Sequence, residues 1–258
     1  MGHNRLHVIA QTRLWREVVG TLEDHDSGMA DVASATATAA QTGLQRAKGD
    51  EGLSYAFWLL CQIPLAAKKA DFGKGLRGLG LDVPDAPSTF DVAAGFTEAV
   101  ESHLRRTRGR TDIGEIAQLA AAECLTATAT QALKGLFSSE AENVQNTFGG
   151  QATQKNFGFF AQDFFARFAS RFLAYHLSRE LSNHVGEGRR FANISEHEQF
   201  KEAMELHCRQ TARIVREYAG TWHSKTSYES GITPRKAKRF VAHAMTKLSD
   251  ELSRREGR

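Results

Sequence analysis

Seven phenylalanines, Phe157, Phe159, Phe160, Phe164, Phe165, Phe168 and Phe172, fall in one short stretch of a chain that contains 16 in all. At about 100° per residue, Phe157, Phe160, Phe164, Phe168, Phe172 and Tyr175 share one arc of a helix, with Ala161 inside it. An arc of that size has to be covered, so this segment is read as the central helix of the fold. Phe159 and Phe165 lie away from the centre of the arc, and the spacing leaves them for a partner helix or a second chain.

The chain has 258 residues, 41% hydrophobic and 24% charged, which is enough to bury a substantial core. Lys and Arg total 33 against 30 Asp and Glu, so the overall field is weak and any attraction to nucleic acid or an anionic membrane must be local. Cys61, Cys124 and Cys208 are scattered, with no CxxC pair. That pattern excludes a disulfide framework and a cysteine zinc site, and fits a cytoplasmic location. The first residues, 1–23, mix Arg5, His7, Arg13 and Arg16 with apolar positions and lack the unbroken apolar core of a secretion signal, so they are read as part of the fold. The run 52–67 is apolar but shorter than the ~20 residues of a bilayer span. It is read as a buried helix broken at Pro64, and no transmembrane segment is expected.

Helical periodicity continues along the rest of the chain. A first helix is expected over 6–22 and an alanine-rich one over 29–45. The stretch 71–90, with Gly73, Gly75, Gly78, Gly80, Pro84 and Pro87, reads as a connection and a domain boundary. Ser88 with Asp91 starts a helix to about Arg106, and Asp112 with Glu115 starts another toward Phe137. Residues 138–154 read as a polar loop centred on Gly149 and Gly150. The phenylalanine helix ends near Val185, and Ser195 with Glu198 fits a capping box for a helix to about Tyr218, closed by Gly220. Thr233 before Pro234 opens a last amphipathic helix carrying Phe240, Val241, Ala244, Leu248 and Leu252. The expectation is an all-α, multi-helix bundle of about seven or eight helices with no substantial sheet. A smaller N-terminal unit over 1–80 and a C-terminal bundle over 81–258 complete it.

Three groups of residues suggest chemistry. His176, Glu180 and His184 sit at i, i+4 and i+8 beside the phenylalanine arc, a row that could contribute to a metal site if the next helix added His197, Glu198, Glu202 or His207. One straight helix cannot aim all three at one ion, because the end members are about 12 Å apart. In the C-terminal quarter, Trp222 and Lys225 are expected on a loop, followed by Arg235, Lys236, Lys238 and Arg239 at the start of the last helix. Aromatic rings stack on bases and cations neutralise phosphates, so this is a candidate nucleic-acid or anion site. Gly73, Gly75 and Gly78 match GxGxxG, but no strand precedes them, so they are read as a connection. No nucleophile elbow, kinase signature or cofactor motif is present, and no cofactor is expected. The functional expectation is a noncatalytic helical interaction or assembly subunit of an intracellular complex, with a protein partner or a second copy of itself. The alternatives are a helical nucleic-acid-binding module and a metal-dependent helical hydrolase.

Overall fold

The computed structural model describes residues 12–107, 110–130, 140–186 and 189–253. Among them are twelve α-helices and no strand, beyond one isolated bridge between Val185 and Phe191. The first six are α1 (Arg13–Glu23), α2 (Met29–Ala39), α3 (Gln41–Ala47), α4 (Glu51–Ala67), α5 (Phe72–Arg77) and α6 (Thr89–Thr107). They are followed by α7 (Asp112–Thr130), α8 (Glu140–Gln151), α9 (Gln154–Leu181), α10 (Ile194–Thr211), α11 (Arg213–Glu229) and α12 (Pro234–Leu252). The all-α bundle stands, with more helices than the periodicity suggested. No helix among the described residues is long and apolar enough to cross a membrane.

The extra helices come from packing that sequence punctuation hides. Gly73 and Gly75 lie inside α5, where an added Cβ on Gly73 would sit 2.5 Å from the Asp85 carbonyl and one on Gly75 3.2 Å from Ala66. These glycines permit close contact and form no flexible loop. The expected loop at 138–154 contains α8, which buries Val144 and Phe148 and brings Gly149 against the Ala67 backbone. The alanine-rich segment is two helices that meet at Ala40. Pro64 does not break α4: it lies in the last turn, where the helix runs on to Ala67. The expected helix up to Tyr218 divides at Ala212 into α10 and α11, and α11 continues through Gly220 to Glu229. The cap of α10 is Asn193, not Ser195; its side chain accepts from Glu196 N, and the Glu196 carboxylate accepts from Ala192 N. The start of the first helix at 6–11 and the expected end of α7 near Phe137 lie outside the described residues.

Locally specified helix starts match. Ser88 and Asp91 cap each other reciprocally, with the Ser88 amide donating to Asp91 at 2.8 Å and the Asp91 amide donating to Ser88 Oγ at 3.2 Å. Thr233 caps α12 ahead of Pro234. Asp50 caps α4 through Leu53 N at 2.8 Å and also accepts from Thr111 Oγ1 at 2.7 Å, while the same Thr111 oxygen accepts from Gly114 N. One buried carboxylate thereby joins the beginnings of α4 and α7. Next to it Gly52 and Gly114 meet backbone to backbone, with a Cβ on Gly52 falling 2.6 Å from the Gly114 Cα.

Helix α9 packs against α2, α7, α8, α10 and α11. Phe157, Phe160, Phe164, Phe168 and Phe172 are buried as the arc predicts, but Phe165 is also fully buried. It contacts Phe57 of α4 and Phe240 of α12 at ring distances of 5.3 and 6.3 Å, so it is part of this chain's own core and not available to a partner. Tyr175, at the end of the arc, is exposed, with its hydroxyl donating to Asp112 at 2.8 Å. Phe57 stacks on Phe240 at 5.0 Å and also touches Phe164 and Trp222, which makes it the point where α4, α9, α11 and α12 converge.

Helices α9 and α11 cross at close range. A Cβ on Gly220 would stand 2.0 Å from the Gln154 carbonyl oxygen, and one on Gly158 3.1 Å from the Arg216 carbonyl. Gly220→Ala should therefore destabilise the protein by about 3 kcal/mol, because two backbones have to separate. Gly20→Ala, with nothing within 4 Å of the added carbon, should be neutral or stabilising by about 0.5 kcal/mol. Urea denaturation of the two variants measures the contrast.

This crossing also buries His223, 1% exposed and stacked 3.7 Å from Phe157. Neither ring nitrogen has a hydrogen bond of good geometry; burial pushes the imidazole down to about 4, and a weak contact with the Cys61 backbone offsets part of that. The folded state holds His223 neutral while the unfolded chain takes up a proton below its ordinary value of 6.5. Stability is thus complete above that value and falls as pH drops from 6.5 to about 4, by about 3 kcal/mol over the window. Denaturation curves at pH 7.5, 6, 5 and 4 should show a decline that contains this share, and His223→Phe should reduce it while leaving the part due to His176, a second imidazole that burial holds down to about 4.

Candidate functional site

The row His176, Glu180 and His184 does not form a cluster. Helix α9 ends at Leu181, and His184 lies beyond it in a 3-10 turn, Ser182–His184. His176 packs edge-on to Phe172 at 5.0 Å and to Tyr175 at 5.3 Å, and its Nε2 is buried without a hydrogen bond. Burial holds this imidazole down to about 4, which keeps it neutral. Across the next helix His197 packs on Phe191, with Nδ1 3.9 Å from Glu198. Among the described residues no group of three or more His, Cys, Asp or Glu side chains comes together in a way that could hold a metal. The three cysteines are free and buried, and burial raises every one of their thiols, that of Cys208 to about 12. A thiol held protonated is a poor nucleophile.

The C-terminal candidates are positioned differently from the expectation. Trp222 and Lys225 are on α11, not on a loop. Trp222 packs its ring 4.3 Å from Phe240, which commits much of its surface to the core. Together with Lys236 and Arg239 it lines a cleft of about 420 Å³ between α11 and α12. Lys236 donates to the Gly231 carbonyl at 2.9 Å and to Ser230 Oγ, so its charge lies at the carboxyl end of α11. A cation there interacts favourably with the α11 dipole, which offsets its unfavourable place in the first turn of α12. Lys225 pairs with Glu229 at 3.9 Å and Lys238 with Glu51 at 3.3 Å. Arg235 and Arg239 are exposed. Of the six residues, the structure brings together Trp222, Lys236 and Arg239 and leaves Lys225, Arg235 and Lys238 outside the cleft.

A charged surface that the sequence did not single out runs along α9. A cleft of about 500 Å³ opens between α9 and α10, with Arg167 and Arg171 on one wall and Lys201 and Arg209 on the other. It adjoins a second cavity of about 450 Å³, which shares Arg167 and Arg209 and adds Arg216 and Phe159. Small side chains on α9, among them Ser170, Ala174 and Ser178, leave the first cleft open. Arg171 grips Glu123 of α7 through two nitrogens, and Arg167 lies 3.7 Å from the same carboxylate. Arg167 Nε donates to Asp163 at 2.7 Å, and Arg209 approaches Asp163 at 3.7 Å. Of these pairs only Asp163 and Arg167 are four apart on one helix, the spacing of a local pair. The other partners are joined across tens of residues.

Arg190 was equally invisible in the sequence. Its guanidinium donates to the carbonyls of Thr21, Leu22, Asp24 and Ser27, closing the carboxyl end of α1 from a distant loop. This is a structural clamp.

In comparisons with family models, curated proteins and solved structures, nothing matches this chain.

From the dispersal of the His176 row, elemental analysis of purified protein should find no stoichiometric metal held there, and EDTA should leave the melting temperature unchanged. Stoichiometric zinc that disappears in His176→Ala would reverse that assignment.

Proposed function

We propose that this protein is a noncatalytic interaction subunit that binds a helix of a partner protein on the outer surface of α10. The observation that carries this reading is the one-sided attachment of α10. It is held to the body by one stripe, Phe200, Met204, Cys208 and Thr211, while Ile194 is 72% and Leu206 56% exposed. Ile194, Glu198, Glu202 and Leu206 follow one another at intervals of four, so two apolar residues flank two carboxylates on an outward stripe, where Glu198 also accepts from Lys201 at 2.8 Å. A partner helix with apolar anchors at its ends and basic residues between them complements that stripe in both shape and charge. Recognition chemistry of this kind needs no nucleophile or metal.

The nucleic-acid reading has less support, because Lys225, Lys236 and Lys238 already have partners within the chain, and the α11–α12 cleft retains Arg239 as its unpaired cation among the described residues. The metal-dependent hydrolase has the least, given the dispersed His176 row.

A pull-down from the native host with the whole chain, run in parallel with Leu206→Asp and with Arg235→Gln, tests the reading. A protein retained by the wild type and by Arg235→Gln, but lost from Leu206→Asp, is the expected result. Equal retention by all three, or no partner and a strict monomer by light scattering, would reject it.

A further inference from the structure

We infer that the cavity beside α9 formed by Phe159, Asp163, Arg167, Arg209 and Arg216 is a binding site for a mononucleotide. Phe159, Asp163 and Arg167 stand at i, i+4 and i+8 of α9 and line the same cavity of about 450 Å³. That volume lies within the range of about 300–1,000 Å³ typical of small-molecule sites. The rise of the helix puts Phe159 and Arg167 about 12 Å apart along the axis, with Asp163 midway, a spacing that suits base, ribose and phosphate in that order.

Each residue offers chemistry suited to its place. Phe159 is 47% exposed, an unusual state for a phenylalanine in this helix, and the Arg216 guanidinium sits 4.7 Å from its ring centre. A base stacking on the exposed part of that ring would share an aromatic and a guanidinium plane. Asp163 accepts from Arg167 at 2.7 Å and lies 3.7 Å from Arg209, which leaves carboxylate lone pairs for ribose hydroxyls. Arg167 and Arg209 form the phosphate end. Three guanidiniums face one carboxylate in this cavity, leaving two positive charges, and a phosphate monoester carries about −1.5 to −2 near neutral pH. Arg216 has no carboxylate partner among the described residues. Gln162, only 7% exposed, also lines the cavity and fixes one wall by donating to the Arg209 carbonyl at 2.8 Å.

This site lies off the outward stripe of α10, so it stands or falls separately from the partner-binding reading. Isothermal titration of the whole chain with AMP, adenosine and inorganic phosphate, one ligand at a time, tests it. AMP should bind saturably and about tenfold or more tighter than either fragment, because both ends of the site are then used. Phe159→Ala should weaken AMP about tenfold and leave inorganic phosphate unchanged, whereas Arg209→Gln should weaken both about tenfold. Both side chains are substantially exposed, and unchanged melting curves would establish that the variants fold. Equal affinity for AMP and phosphate would reduce the site to an anion hole and overturn the assignment. So would the absence of saturable AMP binding, or a single-stranded oligonucleotide binding tightly and insensitively to Phe159→Ala.

Discussion

The backbones of α9 and α11 touch at Gly158 and Gly220, and the arrangement of the remaining helices depends on how closely they approach. Side chains of any size at these two positions would push α11 outward. With glycine at both, His223 lies flat on Phe157, and Trp222 and Tyr218 reach Phe240. Phe240 in turn stacks on Phe57, which seats α12 against α4. One close crossing thus determines the position of four helices. It also determines the charged surface, because the same approach carries Arg216 over Phe159.

Features of the fold that rest on short-range hydrogen bonds were legible from the sequence. Ser88 with Asp91 and Thr233 with Pro234 mark helix starts because the donor and acceptor lie within one turn of each other. The phenylalanine arc located the central helix for a similar reason, since burial follows the helical period. Features that depend on what lies opposite were hidden. Gly73 and Gly149 look like loop residues in isolation, yet both are helical positions at which another backbone comes close. Phe165 looked peripheral because a single arc assumes one covered face, whereas α9 is covered on several sides. The division of the chain at Ala212 carries neither glycine nor proline to announce it.

The charged groups follow the same division. A net charge of +3 gave no reason to look for a cationic surface. Its arginines are concentrated by tertiary pairing: Glu123 serves both Arg167 and Arg171, and Asp163 serves both Arg167 and Arg209. Sharing acids in this way leaves guanidinium donors over. Partly exposed pairs of this kind contribute little to stability, typically below about 1 kcal/mol each, so their main effect is on the local potential and on which rotamers the arginines hold. The basic residues at the start of α12 show the opposite outcome. Lys236 is used up in closing α11, and Lys238 in reaching Glu51.

The turn between α11 and α12 is fastened to α4 at one atom: the Ile232 carbonyl accepts from Trp58 Nε1 and from Gln62 Nε2, both at 2.9 Å. Those partners are separated by 174 and 170 residues of chain. Contacts of such span form only after a long loop has closed, and they slow folding in proportion to how much of the core waits for them. Here the waiting portion includes Phe57, whose ring stays uncovered on one side until Phe240 arrives. Synthesis from the amino end therefore passes through a stage in which α4 is complete but its aromatic face is bare. The last helix hairpin is the closing step, and the carbonyl of Ile232 sets the register in which it closes.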